Sequence, residues 1–242
     1  MARPVIAWSF SALQMFEQCP RKYWAVKVGK KVNDENQYNV QGDDEHQSIQ
    51  HYAGKGIPLP ATLVGLAPLI DIANAKPGER YVEQKLCLTA DFKPCKWNDW
   101  DNVWVRGAGD YVKVHGEKAF YLDWKSGKKK PGEETEDQAE LTSALIMAHF
   151  PQVNHVASGI VFYRHNHMNP HAVSRADLPR VWNGFVTRVK AMEQAKLQDA
   201  WPTNPTPLCG WCPYLECPFN RMKERLAHEQ ANPGVKWKWR PS

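Results

Sequence analysis

The chain has 242 residues, of which 43% are hydrophobic and 24% charged, with a net charge of +5. That length suits one sizeable domain or two small ones. No apolar run approaches the roughly 20 residues of a membrane span, and the opening MARPVIAWSFSAL lacks the basic-then-apolar layout of a signal peptide, so a soluble, cytoplasmic protein is expected.

In chain order, residues 9–24 (SFSALQMFEQCPRKYW) read as a helix with Ser9 or Ser11 as cap. A second helix is expected over residues 42–52, with acids in its first turn where the dipole favours them. A Pro-broken stretch leads to a third around residues 63–74. Strands are expected over residues 80–90, 104–114, 119–126 and 155–165. A helix over 137–151 carries Leu141, Leu145 and Ile146 on its apolar face. A long amphipathic helix over 178–201 places Val181, Phe185, Val189 and Met192 at helical spacing. Helices, then a small sheet, then more helices predict an α/β fold with a mixed sheet.

The stretch DYVKVHGEKAFYLDWKSGK, residues 110–128, carries the chemistry. Gly116-Glu117 suits a two-residue hairpin loop with glycine first, as a type II′ turn prefers. Val114 would then pair with Ala119, Val112 with Tyr121, and Asp110 with Asp123. Two directly opposed carboxylates destabilise a sheet. A hard divalent cation with oxygen ligands would reverse that. Asp123 and Lys125 share one face by the period of two. The plainer alternative is a solvated face.

Basic residues concentrate with aromatics in RKYWAVKVGKK, KSGKKK and KWKWR. Such patches suit phosphate neutralisation and base stacking. They make Arg21, Lys22, Lys128, Lys129 and Lys130 the nucleic-acid-binding candidates, with ordinary surface lysine as the alternative. Of six cysteines, Cys209, Cys212 and Cys217 cluster in CGWCPYLEC, and Cys19 in EQCPRKYW repeats the Cys–Pro context of Cys212 and Cys217. Clustered cysteines in a cytosolic chain bind metal more often than they form disulfides. Cys–Pro is common around iron–sulfur ligands. Structural zinc and unligated thiols are the alternatives.

Six pieces in order resemble the PD-(D/E)xK nucleases, and within them the RecB-like and CRISPR-associated exonucleases with an iron–sulfur clamp. They are SFSALQMFEQCPRKYW, GDDEH (a Gly-x-x-x-His segment), GAGDY, LDWKSGK, DQAELTS and LCGWCPYLECP. The resemblance implies a restriction-endonuclease-like core, a small mixed β-sheet flanked by helices, over residues 40–195. It implies a cysteine clamp from residues 1–30 and 200–225, and leaves a basic tail over 226–242. His46, Asp110, Asp123 and the Trp124 backbone carbonyl would bind Mg²⁺ or Mn²⁺. Lys125 would position or activate the attacking water, and Gln138 would orient the lysine or contact DNA. Cys19, Cys209, Cys212 and Cys217 would hold a structural [4Fe–4S] cluster.

The implied activity is a metal-dependent DNA exonuclease acting on single strands or ends. The implied setting is the cytoplasm, a host's if the gene is phage-borne, with a recombination, helicase or CRISPR partner. An endonuclease, an end-processing factor or a non-catalytic DNA-binding adaptor are the rivals. Two departures stand out. The position four residues after Gln138 is Thr142 instead of tyrosine, and Gly109 precedes Asp110 instead of proline. His51, Glu83, His149 and His155 take no motif role and read as structural or surface residues.

Overall fold

The computed structural model describes residues 6–33, 37–127 and 135–238, and for residues 37–41 the backbone alone. Lys128, Lys129 and Lys130 lie outside the described residues. The chain forms two compact units, Met1–Phe10 with Asn36–Thr187, and Ser11–Glu35 with Arg188–Ser242.

The first unit is built on a five-stranded sheet in the order β1-β2-β3-β4-β5. These strands are Glu79–Thr89, Val103–His115, Lys118–Lys125, His155–Phe162 and His167–Ser174. β3 and β4 run parallel, and the other neighbours antiparallel, so the sheet is mixed. The parallel pair needs a crossover, which α5, Glu136–His149, provides. The β2–β3 hairpin has the expected register, with Val114 opposite Ala119 and Val112 opposite Tyr121. Gly116 has φ +56, as the first position of a type II′ turn requires.

Helices flank this sheet. α3, Gln37–Lys55, and α4, Ala67–Ala75, give Ile49, Ala53, Ile70 and Ala73 to a core with Tyr111, Leu122 and Trp124 of β2 and β3. The alternate residues of β3 face α5, where Gln138 reaches Asp123. Both sheet faces are therefore covered. α5 runs so close to β2 that a Cβ on Gly107 would meet Leu145 Cδ1 at 2.7 Å. At the sheet's start, Trp8 stacks on Phe185 and meets Trp104 edge-on.

The second unit joins the flanking segments. α1, Phe10–Gln18, places Phe16 against Tyr23 and Trp201. Glu17 pairs with Arg188 of α6, Leu178–Leu197, at 2.7 Å. The helix expected to run through Trp24 breaks at Cys19, which is extended at φ −165, ψ 109. Pro20 disfavours helical backbone in the residue before it and instead starts α2, Pro20–Tyr23.

Two elements went unforeseen. β5 contains Pro170, which reads against a strand, but β5 is the sheet edge, where proline is tolerated. The basic tail expected from residue 226 instead begins within a helix, α7, Met222–Ala231, which buries no residue and so shows no apolar stripe. Arg225 ties it down by donating to the Gly210 carbonyl at 2.7 Å.

Candidate active site and cysteine cavity

β2 and β3 stop pairing at Tyr111–Leu122. One rung beyond, in register, lie Asp110 and Asp123. Here the Trp124 N–H donates to Asp110 Oδ2 at 2.8 Å. A side chain thus replaces the ladder where the strands part, so the acids do not occupy a solvated face. Asp110 is 9% and Asp123 6% exposed.

Four groups surround the pair. Lys125 Nζ lies 2.8 Å from Asp123 Oδ2. Gln138 donates from Nε2 to Asp123 Oδ1 at 2.8 Å. His46 Nδ1 of α3 sits 3.8 Å from Asp110 Oδ2. Glu83 of β1, given no role by the sequence motifs, is the fourth. The β1–β2 register runs through Val82–Tyr111 and Gln84–Gly109, which sets Glu83 opposite Asp110. Burial first, and then the charge of Asp123, push the Asp110 carboxyl well above the usual carboxylate range, against the lowering effect of the Trp124 N–H. Burial also raises Glu83, partly offset by His46 and Gln50.

α3 is placed by close packing and by charge. A Cβ on Gly42 would stand 3.3 Å from Ser126 Oγ, directly after Lys125. Glu45 accepts from Tyr163 Oη at 2.5 Å and pairs with Arg164 at 2.6 Å. Among the described residues no three His, Cys, Asp or Glu side chains already close on one point. The donor set nevertheless fits a hard divalent cation: carboxylate oxygens, one imidazole and mutually repelling buried acids. Asp123 Oδ2 is buried and meets the Lys125 ammonium at 2.8 Å, with no well-aligned hydrogen bond among the described residues.

In the second unit, Cys19, Cys209, Cys212 and Cys217 line one cavity of about 130 Å³, beside Tyr214 and Phe219. The Thr206 N–H points at Cys209 Sγ at 3.4 Å. Burial raises the Cys212 thiol, the Tyr214 N–H and Lys22 lower it, and Cys217 and Cys19 raise it further. Four cysteines line one cavity, with a cation and N–H donors nearby, and supply the thiolate donors a metal cluster takes, although among the described residues no three of these side chains already close on one point. Arg21 and Lys22 line the same cavity, and the Arg21 guanidinium stacks over Trp24 at 4.5 Å and Tyr214 at 5.8 Å. Cys87 and Cys95, which stand alone in sequence, meet across a backbone turn, Cys87 Sγ lying 2.7 Å from the Cys95 carbonyl oxygen. His149 Nε2 lies 3.0 Å from the Cys87 carbonyl and 3.1 Å from its N–H, a structural role as expected.

The model of the PD-(D/E)XK nuclease superfamily matches residues 66–217, more than half of the chain. The match includes both aspartates, Lys125, Gln138 and three of the four cavity cysteines. The chain belongs to this superfamily. Membership implies a nuclease with DNA as substrate, and PD-(D/E)XK nucleases typically use Mg²⁺ or Mn²⁺. The crystal structure of SSO0001 aligns over 88% of this chain and 87% of that one, at 10% identity and a TM-score of 0.47, a likeness too slight to bear on function. No curated protein sequence matches the chain. Among the described residues no helix is long and apolar enough to cross a membrane.

Proposed function

We propose that this PD-(D/E)XK protein is a DNA exonuclease of the RecB-like type, acting on single strands or free ends, with a [4Fe–4S] cluster in the cysteine cavity. The observation that carries the nuclease reading is the buried Asp110–Asp123 rung flanked by Lys125, Gln138 and His46. His46, Asp110, Asp123 and the Trp124 carbonyl would hold the divalent cation, which when bound supplies Lewis-acid charge at the phosphate and lowers the pKa of water.

The chain's own groups do the rest. Gln138 fixes the rotation of the Asp123 carboxylate through Oδ1, leaving Oδ2 toward Lys125. The Lys125 ammonium adds positive charge where the phosphoryl oxygens gain negative charge. The Trp124 N–H holds Asp110 in place. The iron–sulfur reading rests on four thiols at one cavity, and its role is structural, since the cysteines come from both flanking segments of one unit. Arg21 and Lys22, with Lys128, Lys129 and Lys130, remain the proposed DNA contacts. A recombination, helicase or CRISPR partner fits the same reading.

The test is degradation of end-labelled linear single-stranded DNA beside circular single-stranded DNA, with Mn²⁺ and with EDTA. Mn²⁺-dependent loss of the linear substrate alone is the expected result, and the end released first gives polarity. Lys125→Ala should slow it by about 10²–10³-fold with the fold intact. Cutting of the circle would make the protein an endonuclease. Binding without cutting would make it an adaptor.

A further inference from the structure

Three carboxylates, on three successive strands, occupy one rung of the sheet. The pairs Val82–Tyr111 and Gln84–Gly109 bracket Glu83 and Asp110, and Tyr111–Leu122 leads to Asp110 and Asp123. At this rung neither ladder is closed. Glu83 sits at φ +54 in the interior of β1. A left-handed conformation is strained for a non-glycine residue, and regular strand backbone does not call for it. Such outliers persist where the surrounding structure imposes them, often at functional sites.

Glu83 is also within electrostatic reach of His46, Asp110, Asp123 and Lys85. Lys125 faces this rung, with His46 beside it, while Lys85 is exposed with its ammonium over the Trp97 ring. Three carboxylates in one row outweigh Lys125, which is the partner of Asp123. Asp123 is more than nine-tenths buried and its Oδ2 makes no well-aligned hydrogen bond among the described residues.

We infer that Glu83 is a third carboxylate ligand of the divalent-cation centre, joining Asp110 on the side of His46. The inference rests on the reading of that centre given above.

The experiment is a Mn²⁺ titration of the full chain followed by electron paramagnetic resonance of free Mn²⁺, for the wild type, Glu83→Gln and Asp123→Asn, with thermal melts in EDTA alongside. Glu83→Gln should bind Mn²⁺ about 10–100-fold more weakly, while its metal-free melting temperature holds or rises because a half-buried like charge is gone. Wild-type affinity in Glu83→Gln overturns the inference. So does a metal-free melting temperature that falls in Glu83→Gln, which makes the residue a brace. A wild type that binds no Mn²⁺ fails the centre itself, and Asp123→Asn retaining wild-type affinity moves the cation elsewhere.

Discussion

Asp110 shows how one residue serves fold and site at once. Its carboxylate accepts the Trp124 N–H where the β2–β3 ladder ends, and its burial beside Asp123 holds its pKa well above the ordinary value. An unfolded aspartate titrates near about 3.9. Between that value and the raised folded one, the native state binds the extra proton, so metal-free stability falls as pH rises through the window. Glu83 acts in the same direction. In EDTA the melting temperature should therefore drop as pH rises above the unfolded carboxylate value toward the raised folded one, and Asp110→Asn should flatten the slope. Mn²⁺ should reverse it, because ligation requires the deprotonated carboxylates. An unchanged slope in Asp110→Asn would show that other groups set it.

The helices around the sheet are pinned so that their few chemical residues arrive in place. α5 is held at its start, where Thr135 Oγ1 meets His171 Nε2 at 2.9 Å and accepts from Asn169 at 2.9 Å. Arg175 collects carbonyls at its end, including those of Met147 and Pro151. Gln138 lies one turn inside that first anchor. α3 is held through Glu45, next to His46, by Tyr163 and Arg164. Glu45→Ala strands both partners and should destabilise the protein by about 1.5–3 kcal/mol, read by urea denaturation. It should also weaken Mn²⁺ binding through His46; unchanged Mn²⁺ affinity would separate this brace from the site. The sequence announced α5 by its apolar spacing and α3 by acids expected in a first turn at residue 42, but α3 starts at Gln37 and carries no acid in its first turn; the anchors come from β5 and from the segments after β4 and β5, which no local pattern links to α3 or α5.

At the scale of the whole chain, the sheet unit holds the acid rung and the unit formed by the flanking segments holds the thiols. Within the latter, Cys19 follows α1 while Cys209, Cys212 and Cys217 follow α6. Protein purified without oxygen should be brown, with a broad thiolate–iron absorbance band. Cys212→Ser should lose that band, and also stability, since a cluster held in the proposed site would contribute folding energy. A colourless preparation carrying one zinc per chain would replace the cluster with a structural zinc site and keep the clamp.

What the sequence determined by itself was local. Period-two alternation, Gly116 in its turn, Asp-x-Lys spacing and the Cys–Pro repeats are read within a few residues, and they located β1 to β4, Asp110, Asp123, Lys125 and the cysteine cluster. The tertiary structure decided what depends on neighbours far apart in the chain. Register alone sets Glu83 opposite Asp110 across β1 and β2. The edge position alone makes a strand of the Pro170 segment. Stacking on Trp24 and Tyr214 puts Arg21 beside the thiols. In each case the deciding energy lies in cross-strand or side-chain contacts, which no window of sequence contains.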